Sequence, residues 1–213
     1  MTITTRNGLI NALGNNSTVV PIMKASQSSQ AAGTYVSLWR AAGTPVQANI
    51  PSTLQECNVS TPGAIILPQQ TSPVETYLTN SVITCTTAGT FELHDRLMHK
   101  GGLSGTISLS HQYVLADLSV AGSNISTRKG SDDYRDVSWW LEWYSATGST
   151  AVNALVNVIY NDNTSEDLFI SIAGTRPAGF MLNLNQYIGF LKSNLGIKQV
   201  ASVLLQSSTG ALS

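Results

Sequence analysis

Charge is what this sequence has least of. Of its 213 residues, 11 are Lys or Arg and 12 are Asp or Glu, which makes 11% charged, against roughly 25% in an ordinary soluble domain. The formal net charge of -1 leaves no basic surplus. That argues against nucleic acid or an anionic membrane as the main target, because both need an excess of cations. Cysteine is scarce as well: Cys57 and Cys85 permit one disulfide at most and no disulfide framework, and whether the two meet stays open. No apolar run approaches the roughly 18 residues of a membrane-spanning helix. The opening MTITTRNGLI has no basic stretch followed by a long apolar one, so no secretory signal is expected. Sequons begin at Asn15, Asn16, Asn58, Asn124 and Asn163. Without export they carry no meaning, and this much Ser and Thr produces several by chance.

Hydroxyls and amides are abundant instead. The chain holds 26 Ser, 22 Thr, 15 Asn and 17 Gly, so its surface is wetted by neutral polar groups. An apolar fraction of 42% is too high for a disordered chain. A single globule of this length has a radius of gyration of roughly 17 Å and buries about 70% of its extended-chain surface. A weakly charged, near-neutral protein is poorly protected against self-association, so contact with neighbours is expected.

The pattern along the chain is mostly that of strands. A short helix is expected over the first thirteen residues, N-capped by Thr5, with Leu9, Ile10 and Leu13 on one face and Gly14 as its stop. Strands are then expected at 19–23, 35–40, 64–67, 75–86, 91–98, 137–144, 152–160, 168–172, 180–184 and 199–206. The stretch 137–144 alternates most clearly: Val137, Trp139, Leu141 and Trp143 share one face, and Trp140 and Tyr144 share the other. Two hairpins are expected, one joining 75–86 to 91–98 through 86–89, the other joining 137–144 to 152–160 through 146–149. Residues 187–195 are the one further candidate helix, weakened by Gly189. The expected fold is all-β, an antiparallel β-sandwich or jelly-roll-like domain over 31–213, preceded by an N-terminal arm with a short helix over 1–30.

Signatures of chemistry are few. The sequence contains no GxSxG, Walker A, HExxH or CxxC motif. His94, Asp95 and His99 could offer three metal ligands, yet two histidines five apart on a strand point to opposite faces. They converge only if the chain bends; the alternative is a hydrogen-bonded strand end at a subunit contact. Asp95 and Arg96 are expected to find separate partners. Glu142 and Glu92 could form a glycosidase-type carboxylate pair, although any dozen acids in a β domain offer such pairs. Trp140 and Tyr144 could stack on a sugar, pack on a second layer or anchor an interface. The loop 121–136 carries Arg128, Lys129, Asp132, Asp133, Arg135 and Asp136, and is expected to be an exposed arm, an intersubunit contact or a solvated hairpin tip. No cofactor is expected.

Four segments occur in an order that resembles a family of tailed-bacteriophage virion structural proteins. They are SLWRAAGTP (37–45), LHDRLMHKGGLSG (93–105), WLEWYSATG (140–148) and VASVLLQSSTG (200–210). The opening Thr4-Thr5, the run Leu9-Ile10-Asn11-Ala12-Leu13 and the triplet Lys24-Ala25-Ser26 are similar to it too, so the likeness covers nearly the full length. His94 and Met98 stand where that family would place an aromatic, and 187–195 where it would place a glycine-rich turn. The resemblance implies an assembly role without naming the place in the virion; taken with a low-charge β-sandwich that lacks a catalytic constellation, the expected function is a non-enzymatic head decoration or cement protein on the major capsid protein lattice. Self-association is implied with it, a homotrimer being the favoured arrangement. The interface candidates are Trp140, Tyr144, Arg128, Lys129, Asp132, Asp133, Arg135, His94 and His99. A tail, neck or baseplate component, a carbohydrate-binding β-sandwich module and a hydrolase with an unrecognised site are the alternatives.

Overall fold

The computed structural model describes residues 3–15, 17–27, 30–67 and 80–210. It begins with α1 (Arg6–Asn15). Thr5 caps this helix as expected, its Oγ1 accepting from Gly8 N at 3.0 Å. The helix runs one residue past Gly14, and its expected apolar face buries nothing: Leu9, Ile10 and Leu13 are all exposed.

The elements that follow are short. β1 (Met23–Lys24) pairs antiparallel with β3 (Gly43–Thr44), and β4 (Gln55–Glu56) pairs with β5 (Met98–His99). β2 (Tyr35–Val36) joins a three-stranded antiparallel sheet described below. Two-residue ladders have no period to read, so the strands expected at 19–23 and 35–40 shrink to these pairs. Residues 64–67 form no strand. The first expected hairpin is not formed: 80–86 and 91–97 carry no strand, while 75–79 lie outside the described residues.

The second half is regular. β6 (His111–Asp117), β8 (Val152–Tyr160), β9 (Ser165–Ile172) and β11 (Ile197–Leu205) make a four-stranded antiparallel sheet in the order β6-β11-β8-β9, after β7 (Trp140–Glu142) and before β10 (Phe180–Asn183) are placed elsewhere. β8 alternates strictly, with Val152, Ala154, Val156, Val158 and Tyr160 buried. That alternation puts five apolar side chains on one face, each contributing up to about 1.5–3 kcal/mol by its burial. Leu168, Ile170 and Ile172 of β9 continue the face. On β11 the buried residues Ile197, Val200, Val203 and Leu205 are not spaced by two throughout. Register shifts between Ile197 and Gln199 and between Val200 and Ser202 restore the phase, because an inserted residue reverses which face the next side chain meets.

The β8–β9 turn is written in its residues. Asn163 takes φ 66°, a left-handed conformation that Asn tolerates, and Asp162 Oδ1 accepts from Thr164 N at 2.9 Å. Tyr160 N donates to Thr164 O at 2.9 Å, which closes the hairpin.

β7 belongs to a three-stranded sheet of order β2-β10-β7, not to a hairpin with β8. The second expected hairpin is therefore wrong in its partner although both strands exist. Alternation shows that a segment is a strand with one buried face; it does not show which strand it pairs with. Trp139, Leu141, Trp143 and Leu182 pack from the three-stranded sheet and its flank onto the core of the four-stranded one. The candidate helix at 187–195 resolves into two 3₁₀ turns, Leu184–Tyr187 and Phe190–Lys192, parted at Gly189.

The loop 121–136 is neither arm nor solvated tip. After a one-turn helix α2 (Ser123–Ser126), its chain folds back so that Ile125, Lys129 and Tyr134 are buried. Ile125 and Tyr134 join Leu118 and Val137 in a second small core, with Leu97, Met98 and Trp139 at its edge. Gly196, before β11, holds this loop close: a Cβ there would stand 2.1 Å from Asp133 O.

Candidate functional site

Residues from three distant segments meet where the first half of the chain crosses β7. Trp39 and Arg40 follow β2, Arg96 precedes β5 and His99 ends it, and Glu142 ends β7 with Tyr144 two residues beyond. Arg96 joins them. Its Nη2 donates to Glu142 Oε2 at 2.9 Å, and its guanidinium carbon lies 4.7 Å from the centre of the Trp39 ring. The Glu142 side chain is only 7% exposed, so this ion pair lies largely out of solvent. Arg40 sits 5.0 Å over the Tyr144 ring and its Nη1 donates to Tyr144 O at 3.4 Å. Beside them Gly101 approaches so closely that a Cβ would stand 2.2 Å from Ile50 Cγ2 and 3.2 Å from Tyr144 Cε2.

His99 is buried in this seam. Its ring meets Trp39 edge-on at 6.0 Å, and Nε2 is 3.2 Å from Gln55 Oε1. Burial, with the Arg96 cation second, pushes the imidazole pKa down to about 4, against a smaller opposing pull from Glu142. Burial likewise raises the Tyr144 phenol, with Glu142 adding to it. Both shifts favour the uncharged form of the group. The seam holds three stretches of chain together through charge-assisted and cation–π contacts.

A second junction lies beside it. Arg128 Nε donates to Asp95 Oδ2 at 2.9 Å, and Arg128 Nη1 donates to Cys57 O at 2.6 Å. Asp95 and Arg96 thus find separate partners, as adjacent residues facing opposite ways should. Cys57 is a buried thiol outside any disulfide, raised in pKa mainly by burial, and Cys85 is exposed. No disulfide joins them.

The other sequence candidates are scattered. Lys129 is buried, donating to Asp132 Oδ1 at 2.6 Å with its ammonium 4.4 Å from the Tyr134 ring centre. Arg135 pairs with Asp133 at 2.9 Å on the same loop. Trp140 is half-buried, edge-on to Tyr35 at 5.0 Å and to His94 at 5.9 Å. His94 itself is exposed and 3.0 Å from Glu92 Oε2. His94 and His99 do not converge, and among the described residues no group of three or more His, Cys, Asp or Glu is placed to hold a metal. Trp39 and Arg40 were missed as site residues by pattern, although SLWRAAGTP contains both. The quoted segments supply most of the seam: 37–45 gives Trp39 and Arg40, 93–105 gives Arg96, His99 and Gly101, and 140–148 gives Glu142 and Tyr144. The fourth closes nearby on the second, Thr209 N donating to Gly105 O at 2.9 Å.

No protein family, no curated protein and no solved structure matches the chain.

Proposed function

We propose that this chain is a non-enzymatic structural protein of a tailed-bacteriophage virion, a decoration or cement protein that binds and stabilises the lattice of the major capsid protein. The observation that carries the reading is the convergence of the four ordered segments. The residues that resemble the virion family are those that tie the molecule together through Arg96–Glu142, Arg40–Tyr144 and Thr209–Gly105. Motifs that lock a shape suit a protein whose product is a shape. The charge-poor surface supports the same reading, since many equivalent copies on a symmetric lattice gain avidity without strong single contacts.

On this reading the three-stranded sheet stacked on the four-stranded one is the β-sandwich of a single domain over 31–213, with 1–30 as an arm. The jelly-roll order is the finer form of that proposal. The protein would be made in the host cytoplasm and reside on the capsid surface, with the major capsid protein and its own copies as partners. The sugar-binding alternative has less support, because Trp140 is half-buried against Tyr35 and His94 and offers no open platform.

The test uses expanded capsids that lack the protein. Purified protein is expected to bind them at a fixed copy number per capsomer, counted by quantitative mass spectrometry against the major capsid protein. Copurification with tails, without capsid binding, would replace this reading by a tail, neck or baseplate role.

A further inference from the structure

The four-stranded sheet ends in two strands, β6 and β9, whose outer edges are built differently. An edge strand presents a row of unpaired N–H and C=O groups, and proteins guard such rows with lysine, bulges or brevity. β6 is guarded. Lys100 Nζ donates to Tyr113 O at 2.8 Å and to Val114 O at 3.0 Å. Leu115 stands at φ 52°, and the ladder to β11 shifts register between Val200 and Ser202. The three-stranded sheet ends in strands of two and three residues. β9 has none of these devices. It runs for eight residues without lysine, arginine or proline, and it pairs with β8 residue for residue with no shift.

The direction of its outer backbone groups follows from β8. Gln206 N donates to Asn153 O at 2.9 Å and Asn161 N donates to Gly196 O at 3.0 Å, both on the side of β11. Tyr160 N donates the other way, across the hairpin to Thr164 O at 2.9 Å. Backbone groups alternate sides along a strand, so the even-numbered residues of β8 face β9. Their partners Glu166, Leu168, Ile170 and Ile172 face back. Ser165, Asp167, Phe169 and Ser171 therefore direct their N–H and C=O groups away from β8. All four residues are exposed, and among the described residues no hydrogen bond reaches those groups.

Donors and acceptors spaced along an extended chain are matched by one kind of ligand, a second extended chain. The carboxylates select its charge. Glu166 and Asp167 are the only ionised residues of β9. Glu166 is engaged on the core side, where it accepts from Tyr160 Oη at 2.5 Å. Asp167 stands on the outer face, accepting from Asn157 Nδ2 at 2.7 Å. A second copy of β9, paired antiparallel so that all four outward residues are engaged, sets Asp167 opposite Phe169. That register brings the two Asp167 carboxylates diagonally together on one face, within reach of each other, where like charges are unfavourable. A strand of another protein with a basic side chain opposite Asp167 meets attraction instead.

We infer that the outer edge of β9 docks one extended strand of a different protein, carrying a basic side chain opposite Asp167. The inference rests on the virion reading for the source of that strand, the major capsid protein; the edge, its residues and the charge it selects do not.

The test uses the full chain and expanded capsids that lack it, read by hydrogen exchange and by binding. The N–H groups of Ser165, Asp167, Phe169 and Ser171 are expected to exchange freely in the purified protein and at least ~100-fold more slowly on the capsid. Ser171→Pro removes one outward N–H and no bond to β8, at a place where an edge strand accepts proline. It is expected to weaken capsid binding at least ~10-fold. Phe169→Lys/Ser171→Lys keeps every backbone bond and is expected to show the same loss, should the proline variant fail to fold. Tyr113→Lys, on the guarded edge, is expected to bind as the wild-type protein does. Capsid binding with the edge amides still exchanging, or undiminished in the β9 variants, overturns the inference and leaves the virion reading standing. Edge amides already protected in the purified protein assign the edge to a second copy and overturn it too. Protection on tails, without capsid binding, replaces the capsid reading and keeps the docked strand; binding to neither overturns both.

Discussion

At the level of single residues, His99 shows how the seam sets a protonation state. Trp39, Gln55, Arg96 and Glu142 face it, and the sum of burial and the Arg96 cation holds its pKa near 4, below the 6.5 of a free imidazole. Between those two values the unfolded chain binds a proton that the folded one refuses. Stability is therefore complete above about pH 6.5 and is lost as pH falls toward 4. The loss between pH 6.5 and 5 amounts to about 1–2 kcal/mol. Replacing the ring by an amide, His99→Gln, removes the titration and keeps a donor toward Gln55. Urea midpoints measured at pH 6.5 and 5 should fall for the wild-type protein by that amount more than for His99→Gln. Parallel falls would show that carboxylates elsewhere, not His99, govern acid stability.

At the level of elements, β11 depends on the loop it passes. Gly196 precedes Ile197, and the site a Cβ would take lies 2.1 Å from Asp133 O and 2.4 Å from Tyr134 C. These are backbone atoms and cannot swing aside as a side chain can. Gly196→Ala is expected to cost about 2–3 kcal/mol by forcing the loop off the sheet. Guanidinium unfolding measures it, and an unchanged midpoint would mean the loop shifts freely. The same loop shows where sequence reading stops. β8, β9, β10 and β11 are legible because their apolar spacing persists over four to nine residues. The fold-back of loop 121–136 is not legible because its charges resemble a solvated run, yet Arg128, Lys129 and Arg135 each have an acidic partner nearby and Ile125 and Tyr134 are buried. β6 escaped notice because Tyr113 and Leu115, both large and apolar, stand on its exposed face, so the run Tyr113-Val114-Leu115-Ala116 shows no period of two in the sequence. Of the seam, His99 and Tyr144 stood out by residue type. Arg96, Glu142, Trp39 and Arg40 acquire their roles only from a crossing of segments up to about a hundred residues apart, which no local pattern encodes.

At the level of the whole molecule, scarcity of charge and exposed apolar side chains make one argument. The described ion pairs, Arg96–Glu142, Arg128–Asp95, Lys129–Asp132, Arg135–Asp133 and the histidine pair His94–Glu92, are spent within the chain. Among the described residues up to 110, large apolar side chains such as Val19, Val82 and Leu93 remain exposed. Contacts of that kind do not depend on long-range attraction. Raising salt from about 0.1 to 1 M shortens the Debye length from roughly 10 Å to 3 Å, which abolishes steering between separated charges but leaves apolar burial intact or strengthens it. The dissociation constant for self-association, followed by sedimentation equilibrium, should therefore change by less than about threefold over this range. Weakening of tenfold or more would mean that the copies dock through charge, and the surface to examine would then be the ion-pair loop of residues 128–136 instead of these apolar side chains.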